Sequence, residues 1–386
     1  MKNKLFTIGL FVITAVVVAL YPFMQKQADA NVNVVLNEKP KIQLAILLDT
    51  SSSMNGLIDQ TRNQLWQVVN EFSKAEQNGV KPSLEVAVYE YGNSRLSAST
   101  GYIRQVSGLT GELDAVSEAL FSLTTNGGSE YCGYVIKTAV NQLSWSHSDG
   151  DIKAIFIAGN EPFTQGPVAF RDAIKFARSK GITINTIHAG NNQQGVNSGW
   201  KDGALLAGGE YMSIDHNYKI AHINAPQDKE ISKLNEKLNK TYVPYGVKGR
   251  EKQQRQQVQD EKSKKISSAL LSKRAQVKTS AMYDNSSWDL VDAFVSGKVD
   301  IESVAEKELP VFLQKMTKAK RKGYIQNKVQ QRKEIKKEII RLSEQRSLYV
   351  AEKKKSAPQP AVATMNEAVT SAIQKQGAAK NYKFKN

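Results

Sequence analysis

An aspartate and two serines at alternate positions follow an apolar segment in the first part of the chain. Asp49, Ser51 and Ser53 come directly after the uncharged run Ile42–Leu48. A run of this kind is typical of a strand that is buried on both faces of a parallel sheet. A turn that gathers one carboxylate and two hydroxyl groups offers the oxygen ligands that a hard cation such as Mg²⁺ prefers. The alternative is a serine-rich turn in which Asp49 caps the next helix.

Strand-like and helix-like patterns alternate along residues 42–214. The strand-like runs after the first are Leu84–Tyr91, Ala154–Ala158, Ile182–His188 and Tyr211–Ile214. Helical periodicity between them predicts an α/β fold, with a doubly wound, mostly parallel sheet flanked by helices. Ligands of such sheets bind at the carboxyl ends of the strands. Asp49, the loop 124–130 and Asn160 are therefore expected at one edge of the sheet.

The turn after the first strand matches a known pattern. Its sequence LDTSSS, residues 48–53, resembles the Asp-x-Ser-x-Ser metal-ion-dependent adhesion site of the von Willebrand factor type A (VWA) family. The order of strands and helices from about Lys41 to Ile214 also resembles the fold of this family, which is Rossmann-like. The resemblance implies a divalent cation, Mg²⁺ or else Mn²⁺ or Ca²⁺. It also implies a protein partner whose carboxylate completes the coordination.

Two further positions of the family's site are harder to place in this chain. The family has a threonine in the loop before a later helix, and Thr125 and Ser129 are the candidates for it here. It has an aspartate after the next strand, where this chain has Gly159 or Asn160, depending on the register. Asn160 could accept a water ligand, and Glu161 could either turn inward or stay solvated. With one carboxylate fewer, we expect weak cation binding, or a site that a partner's acidic group completes.

Two common motifs of hydrolases and of nucleotide-binding proteins are absent from the sequence. No serine stands in a Gly-x-Ser-x-Gly context, and no phosphate-binding Gly-x-x-x-x-Gly-Lys-Ser/Thr motif occurs. His188, which ends a strand-like run, is expected to be structural. Cys132 is the only cysteine, which excludes an internal disulfide, and we expect it to be buried. A protein-binding or scaffold module is therefore favoured over an enzyme. The alternative is a metal-dependent hydrolase on the same sheet edge, with Asp49 as ligand or nucleophile.

The charge balance changes near Pro226. Residues 31–226 carry 15 Lys and Arg against 18 Asp and Glu, whereas residues 227–386 carry 35 against 18. We interpret this change as a domain boundary. The predicted units are a VWA-like domain at 41–240, a basic helical extension at 250–352 and a flexible tail at 353–386.

The basic extension contains one long helical pattern. Ile325–Val350 has apolar residues about every 3.5 positions, as in a coiled coil, but Arg332 and Arg346 interrupt the seam. A helical hairpin or a helix lying on the domain is therefore favoured. The positive charge favours anionic partners. For an exported protein, an anionic envelope surface or an acidic protein is expected rather than nucleic acid.

The first thirty residues have the features of an export signal. Lys2 and Lys4 precede an apolar run, and Ala28-Asp29-Ala30 provides a cleavage pattern, which predicts a signal peptide over residues 1–30. Residues 5–24 are also about long enough to anchor the chain in the inner membrane. Either prediction places the protein in the periplasm or outside the cell. The segments Leu84–Gly92 and Phe156–Pro167 resemble exported bacterial proteins of the same family.

Overall fold

A computed structural model describes residues 39–215, 222–355 and 364–384. The predicted signal peptide or anchor lies outside the described residues. None of the helices in the described part of the chain is long and apolar enough to cross a bilayer.

Six of the eight strands in the described ranges form the main sheet. The strands are β1 (Lys41–Asp49), β2 (Ala75–Gln77), β3 (Ser83–Tyr91), β4 (Ile103–Thr110), β5 (Ile152–Gly159), β6 (Thr183–Ala189), β7 (Tyr211–Ile214) and β8 (Tyr382–Phe384). Their order in the main sheet is β4-β3-β1-β5-β6-β7, and only β4 is antiparallel to its neighbour. This arrangement confirms the predicted fold class. The apolar strand β1 lies between β3 and β5, and Asp49 is its last residue.

Helices cover both faces of this sheet. They are α1 (Asn55–Phe72), α2 (Leu113–Ser122), α3 (Cys132–Gln142), α4 (Phe170–Ser179), α5 (Asn192–Asn197), α6 (Trp200–Leu206), α7 (Asp228–Asn239), α8 (Gly249–Ile266), α9 (Ser268–Val277), α10 (Leu290–Val295), α11 (Val311–Gln314), α12 (Lys318–Lys355) and α13 (Met365–Ala378). Alternate side chains of β1 enter two cores. Leu44 and Leu48 pack with α1 and α2, while Ala45 and Leu47 pack with α3, α4 and α6.

The basic region packs onto the α1 and α2 side as an outer helical layer. Helix α8 contacts α2, helix α9 contacts α1, and the 38-residue helix α12 crosses α7, α9 and α10. Residues from Pro40 onward form one compact unit. The change in charge near Pro226 therefore marks the beginning of this layer, which packs on the helices of the sheet, and the domain boundary there remains a prediction.

The prediction of a flexible tail is wrong for residues 364–384. Helix α13 packs against α1 and β5, and β8 pairs with β2 in an antiparallel sheet. Met365, Val369 and Ile373 are buried, and Thr364 and Glu367 form a capping box at the helix start. The segment is rich in Ala, Gln and Lys, which is why the sequence predicted a flexible tail. Its few apolar residues lie on one side of the helix and are enough to pack it on the sheet.

Candidate cation site

Asp49 is fully buried at the carboxyl end of β1. Its Oδ1 accepts a hydrogen bond of 2.7 Å from the backbone N–H of Ser51, which fixes the turn. The other oxygen, Oδ2, has no donor among the surrounding amide and hydroxyl groups. A buried carboxylate oxygen without a donor is costly. The turn therefore presents an oxygen that is available to a ligand.

The two serines and Asn160 lie next to one another at the Asp49 turn. The hydroxyl oxygens of Ser51 and Ser53 are 3.4 Å apart, and Ser53 is exposed. The Asn160 amide donates to Ser53 Oγ at 3.4 Å, which leaves its buried Oδ1 without a partner. These contacts link Asp49, Ser51, Ser53 and Asn160, and their role as cation ligands remains a prediction.

Thr125 and Ser129 do not join this group. The loop 124–130 lies against the Asp49 turn, because the Asn126 N–H donates to the carbonyl of Thr50 at 3.0 Å. The Thr125 hydroxyl, however, donates to Asn55 Oδ1 at 2.8 Å, and Ser129 is half-buried without a hydrogen bond to Asp49, Ser51 or Ser53. Their role as cation ligands remains a prediction that the contacts do not support.

Glu130, the last residue of this loop, is the acid that the sequence analysis missed. It is 4% exposed, and its backbone N–H donates to Gln165 Oε1 at 2.6 Å. A Cβ on Gly92 would lie 2.7 Å from Glu130 Cγ and 2.8 Å from Asp49 Oδ1. The two acids therefore converge above Gly92, whose φ of +76° also favours glycine. A carboxylate after the Gly127-Gly128 pair, in a loop expected at the sheet edge, was the available signal.

The two acids influence each other strongly. Burial, followed by the charge of Asp49, raises the pKa of Glu130 to about 9. Burial raises the pKa of Asp49 to about 6, although hydrogen bonds to Glu130 and Ser51 oppose this shift. Without a cation, both carboxyls therefore favour their protonated forms more than an exposed carboxyl does. A bound cation would favour the ionised forms instead.

Gly159 is the residue of β5 that faces Asp49. Because Leu48 pairs with Ala158, the next residues of the two strands are neighbours. A Cβ on Gly159 would lie 3.2 Å from Asp49 Oδ2 but only 2.6 Å from the Tyr91 hydroxyl. That hydroxyl donates to the carbonyl of Ala158 at 3.0 Å. Tyr91 therefore occupies the space that a side chain at Gly159 would need.

Two other residues have structural positions. The thiol of Cys132 is buried and lies 3.8 Å from the Tyr91 hydroxyl, and burial raises its pKa. A buried thiol of this kind is unreactive. His188 is 2% exposed, and its ring lies 5.8 Å from that of Trp200. His216 lies outside the described residues.

The donors present suit a hard cation. Within the described ranges, no three His, Cys, Asp or Glu side chains converge on a metal position. The site instead combines an unpartnered carboxylate oxygen, an unpartnered amide oxygen and two hydroxyls. Oxygen donors of this kind fit Mg²⁺, Mn²⁺ or Ca²⁺ better than softer ions.

Three solved structures show the range of similar proteins. Proximal thread matrix protein 1 of the mussel byssus, with a zinc-occupied MIDAS motif, is 15% identical, with 46% of this chain and 43% of that chain covered and a TM-score of 0.36. An aerotolerance-related membrane protein from Bacteroides fragilis is 16% identical, with 45% and 92% covered and a TM-score of 0.32. The vWF domain of a type V pili tip protein from Porphyromonas gingivalis is 12% identical, with 46% and 90% covered and a TM-score of 0.33.

This chain thus spans less than half of the mussel protein. No curated protein sequence matches it. The family model of the von Willebrand factor type A domain matches residues 43–197, which include β1, the Asp49 turn and the loop of Glu130. Residues 43–197 of this chain are a von Willebrand factor type A domain.

Proposed function

We propose that this type A domain binds a divalent cation at the Asp49 turn and uses it to engage an acidic group on a partner protein. The observation that carries the proposal is the buried and unpartnered Oδ2 of Asp49. It lies on a turn whose second serine, Ser53, is exposed. The same turn therefore has a buried carboxylate oxygen and an exposed hydroxyl group.

Asp49, Ser51, Ser53 and Asn160 would hold the ion. When bound, the cation would supply a positive charge to which a partner's carboxylate could bind. The hydroxyl and amide ligands are neutral, so they would leave most of that charge uncompensated. Mg²⁺, Mn²⁺ and Ca²⁺ are all candidates, and we expect weak affinity in the absence of the partner.

Isothermal titration of the protein with Mg²⁺, Mn²⁺ and Ca²⁺ tests this proposal. Asp49→Asn keeps an oxygen acceptor for the Ser51 N–H and removes the charge, so we expect the heat of binding to disappear. Asp202→Asn is the matched control, because its side chain is 60% exposed on α6, and it should bind as the wild type does. Equal heats for the two variants, or no heat for the wild type, would refute the cation site.

A metal-dependent hydrolase is the alternative. Such an enzyme needs a general base beside the metal. The acid that lies next to Asp49 is Glu130, and it is buried rather than open to a substrate. Binding is therefore the better proposal. Phosphatase or esterase turnover that requires Mg²⁺ and is lost in Asp49→Asn would favour the hydrolase.

A second candidate function concerns the beginning of α12. Val311 and Phe312 on α11 are 54% and 43% exposed, and the Phe312 ring lies 5.3 Å from that of Tyr324 on α12. The exposed Lys315 follows α11, and the exposed Lys318 and Lys320 lie in the first turn of α12. Exposed apolar side chains next to lysines favour an anionic lipid surface.

Vesicle sedimentation tests this second candidate. We expect the protein to bind vesicles that contain phosphatidylglycerol and not neutral phosphatidylcholine vesicles. Replacing Lys315, Lys318 and Lys320 by Glu should abolish the binding. The control replaces three exposed lysines on α3, α4 and α6 by Glu, namely Lys137, Lys175 and Lys201. An equal loss in both variants would mean that only net charge matters and would remove the α11–α12 surface as the site.

A further inference from the structure

We propose that Glu130 is the second acidic ligand of the cation site and takes the place of the aspartate that the family has after the strand equivalent to β5. This inference rests on the cation site proposed above. It adds a ligand from the loop before α3, which the Asp-x-Ser-x-Ser pattern does not include.

The family's aspartate position is closed in this chain. Gly159 is the β5 residue that faces Asp49, and it has no side chain. The Tyr91 hydroxyl would be 2.6 Å from a Cβ there, so an acid at that position would need Tyr91 to move. The edge of β5 therefore contributes no carboxylate to the site.

Glu130 brings a carboxyl to the same oxygen cluster from the opposite loop. Its Cγ and the Oδ1 of Asp49 lie 2.7 and 2.8 Å from the same point above Gly92. Gln165 holds the backbone of Glu130 in place. The Ser51 N–H donates to the same Oδ1 of Asp49 at 2.7 Å, so a cation held by Asp49 and Ser51 would be within reach of both acids.

The charge pattern of the whole molecule supports this inference independently. The other buried acids of the described residues have partners. Glu90, Asp114, Asp228, Asp260 and Asp289 each pair with an arginine. Asp151 accepts hydrogen bonds from the Lys41 N–H and the Ser146 hydroxyl. In contrast, no described Lys or Arg forms an ion pair with Asp49 or Glu130.

A buried pair of acids without a basic side chain is neutralised either by protons or by a bound cation. Buried charges in proteins are paired or coordinate metal ions, and oxygen-rich clusters with two acids bind divalent cations more tightly than those with one. A cation between Asp49 and Glu130 would supply the charge that arginine supplies to the other five acids.

Cation affinity of Glu130→Gln tests the inference. Glutamine keeps the volume and one oxygen but removes the charge. We expect Mn²⁺ affinity, measured by titration calorimetry, to fall by at least about tenfold, together with loss of the Mn²⁺-dependent rise in melting temperature. Glu161→Gln is the matched control, because it removes an exposed acid at the same sheet edge, and its affinity should stay within about threefold of the wild type.

The outcomes separate the two proposals. If Glu130→Gln binds Mn²⁺ as the wild type does while Asp49→Asn does not, the cation site stands and the role of Glu130 is refuted. If the wild type binds no cation, both proposals fail. Melting of each variant without cation shows that it is folded before affinities are compared.

Moving the acid back to the family's position provides a rescue test. In the Glu130→Gln background, Tyr91→Phe makes room and Gly159→Asp supplies a carboxylate next to Asp49. We expect this triple variant to recover most of the lost Mn²⁺ affinity. A folded triple variant that binds as weakly as Glu130→Gln would show that the two positions are not equivalent, which overturns the replacement.

Discussion

Within the described residues, buried acids of the outer helical layer pair with basic side chains, whereas Asp49 and Glu130 at the sheet edge do not. In the outer layer, Asp260 pairs with Arg274 at 2.5 Å and with Lys278 at 2.6 Å, and Asn235 also donates to it. Burial alone would raise the pKa of Asp260, but Lys278 and Arg274 hold it below its ordinary value. At the sheet edge, burial raises the pKa of Asp49 because no basic side chain offsets it.

This difference separates acids that hold the fold together from acids that are available to a ligand. Arg274 also pairs with Asp114 on α2 at 2.7 Å and stacks over the Trp66 ring of α1 at 4.5 Å. It therefore joins the outer layer to the type A domain. Asp49 makes no such connection. The basic composition of the outer layer is partly explained by these internal pairs, and only its exposed lysines remain for partners.

Replacing Arg274 should cause the largest loss of stability. Arg274→Met keeps the length of the side chain but leaves Asp114 and Asp260 buried with less compensation. We expect the free energy of unfolding to fall by about 3–5 kcal/mol, measured by urea unfolding. Arg171→Met, whose side chain is 59% exposed, should change it by less than about 0.5 kcal/mol. A loss below about 1 kcal/mol for Arg274→Met would show that the network does not hold the layers together.

The contact between α13 and the sheet is apolar and can be compared with the ion pairs of the outer layer. Ile373 on α13 is fully buried over the sheet face, where no ion pair contributes. Ile373→Ala should lower the free energy of unfolding by about 3 kcal/mol through lost packing. The control Leu348→Ala, on a residue that is 74% exposed, should have almost no effect. Similar values for the two variants would mean that α13 is not docked as the structure has it.

Acid should weaken the outer layer through Asp260. Its pKa is lowered in the folded protein from 3.8, so its contribution is present above that pH and is lost as the pH falls below it. Each unit of lowering corresponds to about 1.4 kcal/mol. Urea unfolding between pH 6 and pH 3 should therefore show a steeper loss for the wild type than for Asp260→Asn. Parallel pH curves would contradict this assignment.

The smallest expected effect is at the sheet edge and has the opposite sign. In the absence of divalent cations, Asp49→Asn should raise the free energy of unfolding by about 1 kcal/mol, because it removes a buried charge without a basic partner. Asp260→Asn should lower it, since Lys278 and Arg274 would lose their shared acid. Destabilisation of equal size in both variants would remove the distinction between structural and ligand-binding acids.

The apolar repeat of α12 was visible in the sequence, but the sequence did not show how the two arginines within it are accommodated. Arg332 and Arg346 interrupt the apolar repeat, yet both are buried in register with it. Arg332 pairs with Asp289 at 2.6 Å and lies 4.2 Å above the Tyr242 ring, and Arg346 pairs with Asp228 at 2.6 Å. Asp228 begins α7 and Asp289 precedes α10, so the sequence of α12 alone could not show that the arginines were compensated.

The sequence by itself determined the features that depend on neighbouring residues. The buried run of β1, the alternation of strands and helices, and the turn that places Ser51 and Ser53 next to Asp49 all follow from local periodicity and composition. These features predicted the type A fold and its sheet edge. The acidity of the site was also expected there, but only from Asp49.

Only the tertiary structure decided which distant residues meet. Glu130, rather than Thr125 or Ser129, reaches Asp49 because the path of the loop 124–130 depends on contacts with Thr50 and Gln165. Gly159 faces Asp49 because of the register between β1 and β5. Helix α13 docks because the sheet offers an uncovered apolar face. Such pairings are set by packing between elements that are far apart in the chain, and local sequence carries little information about them.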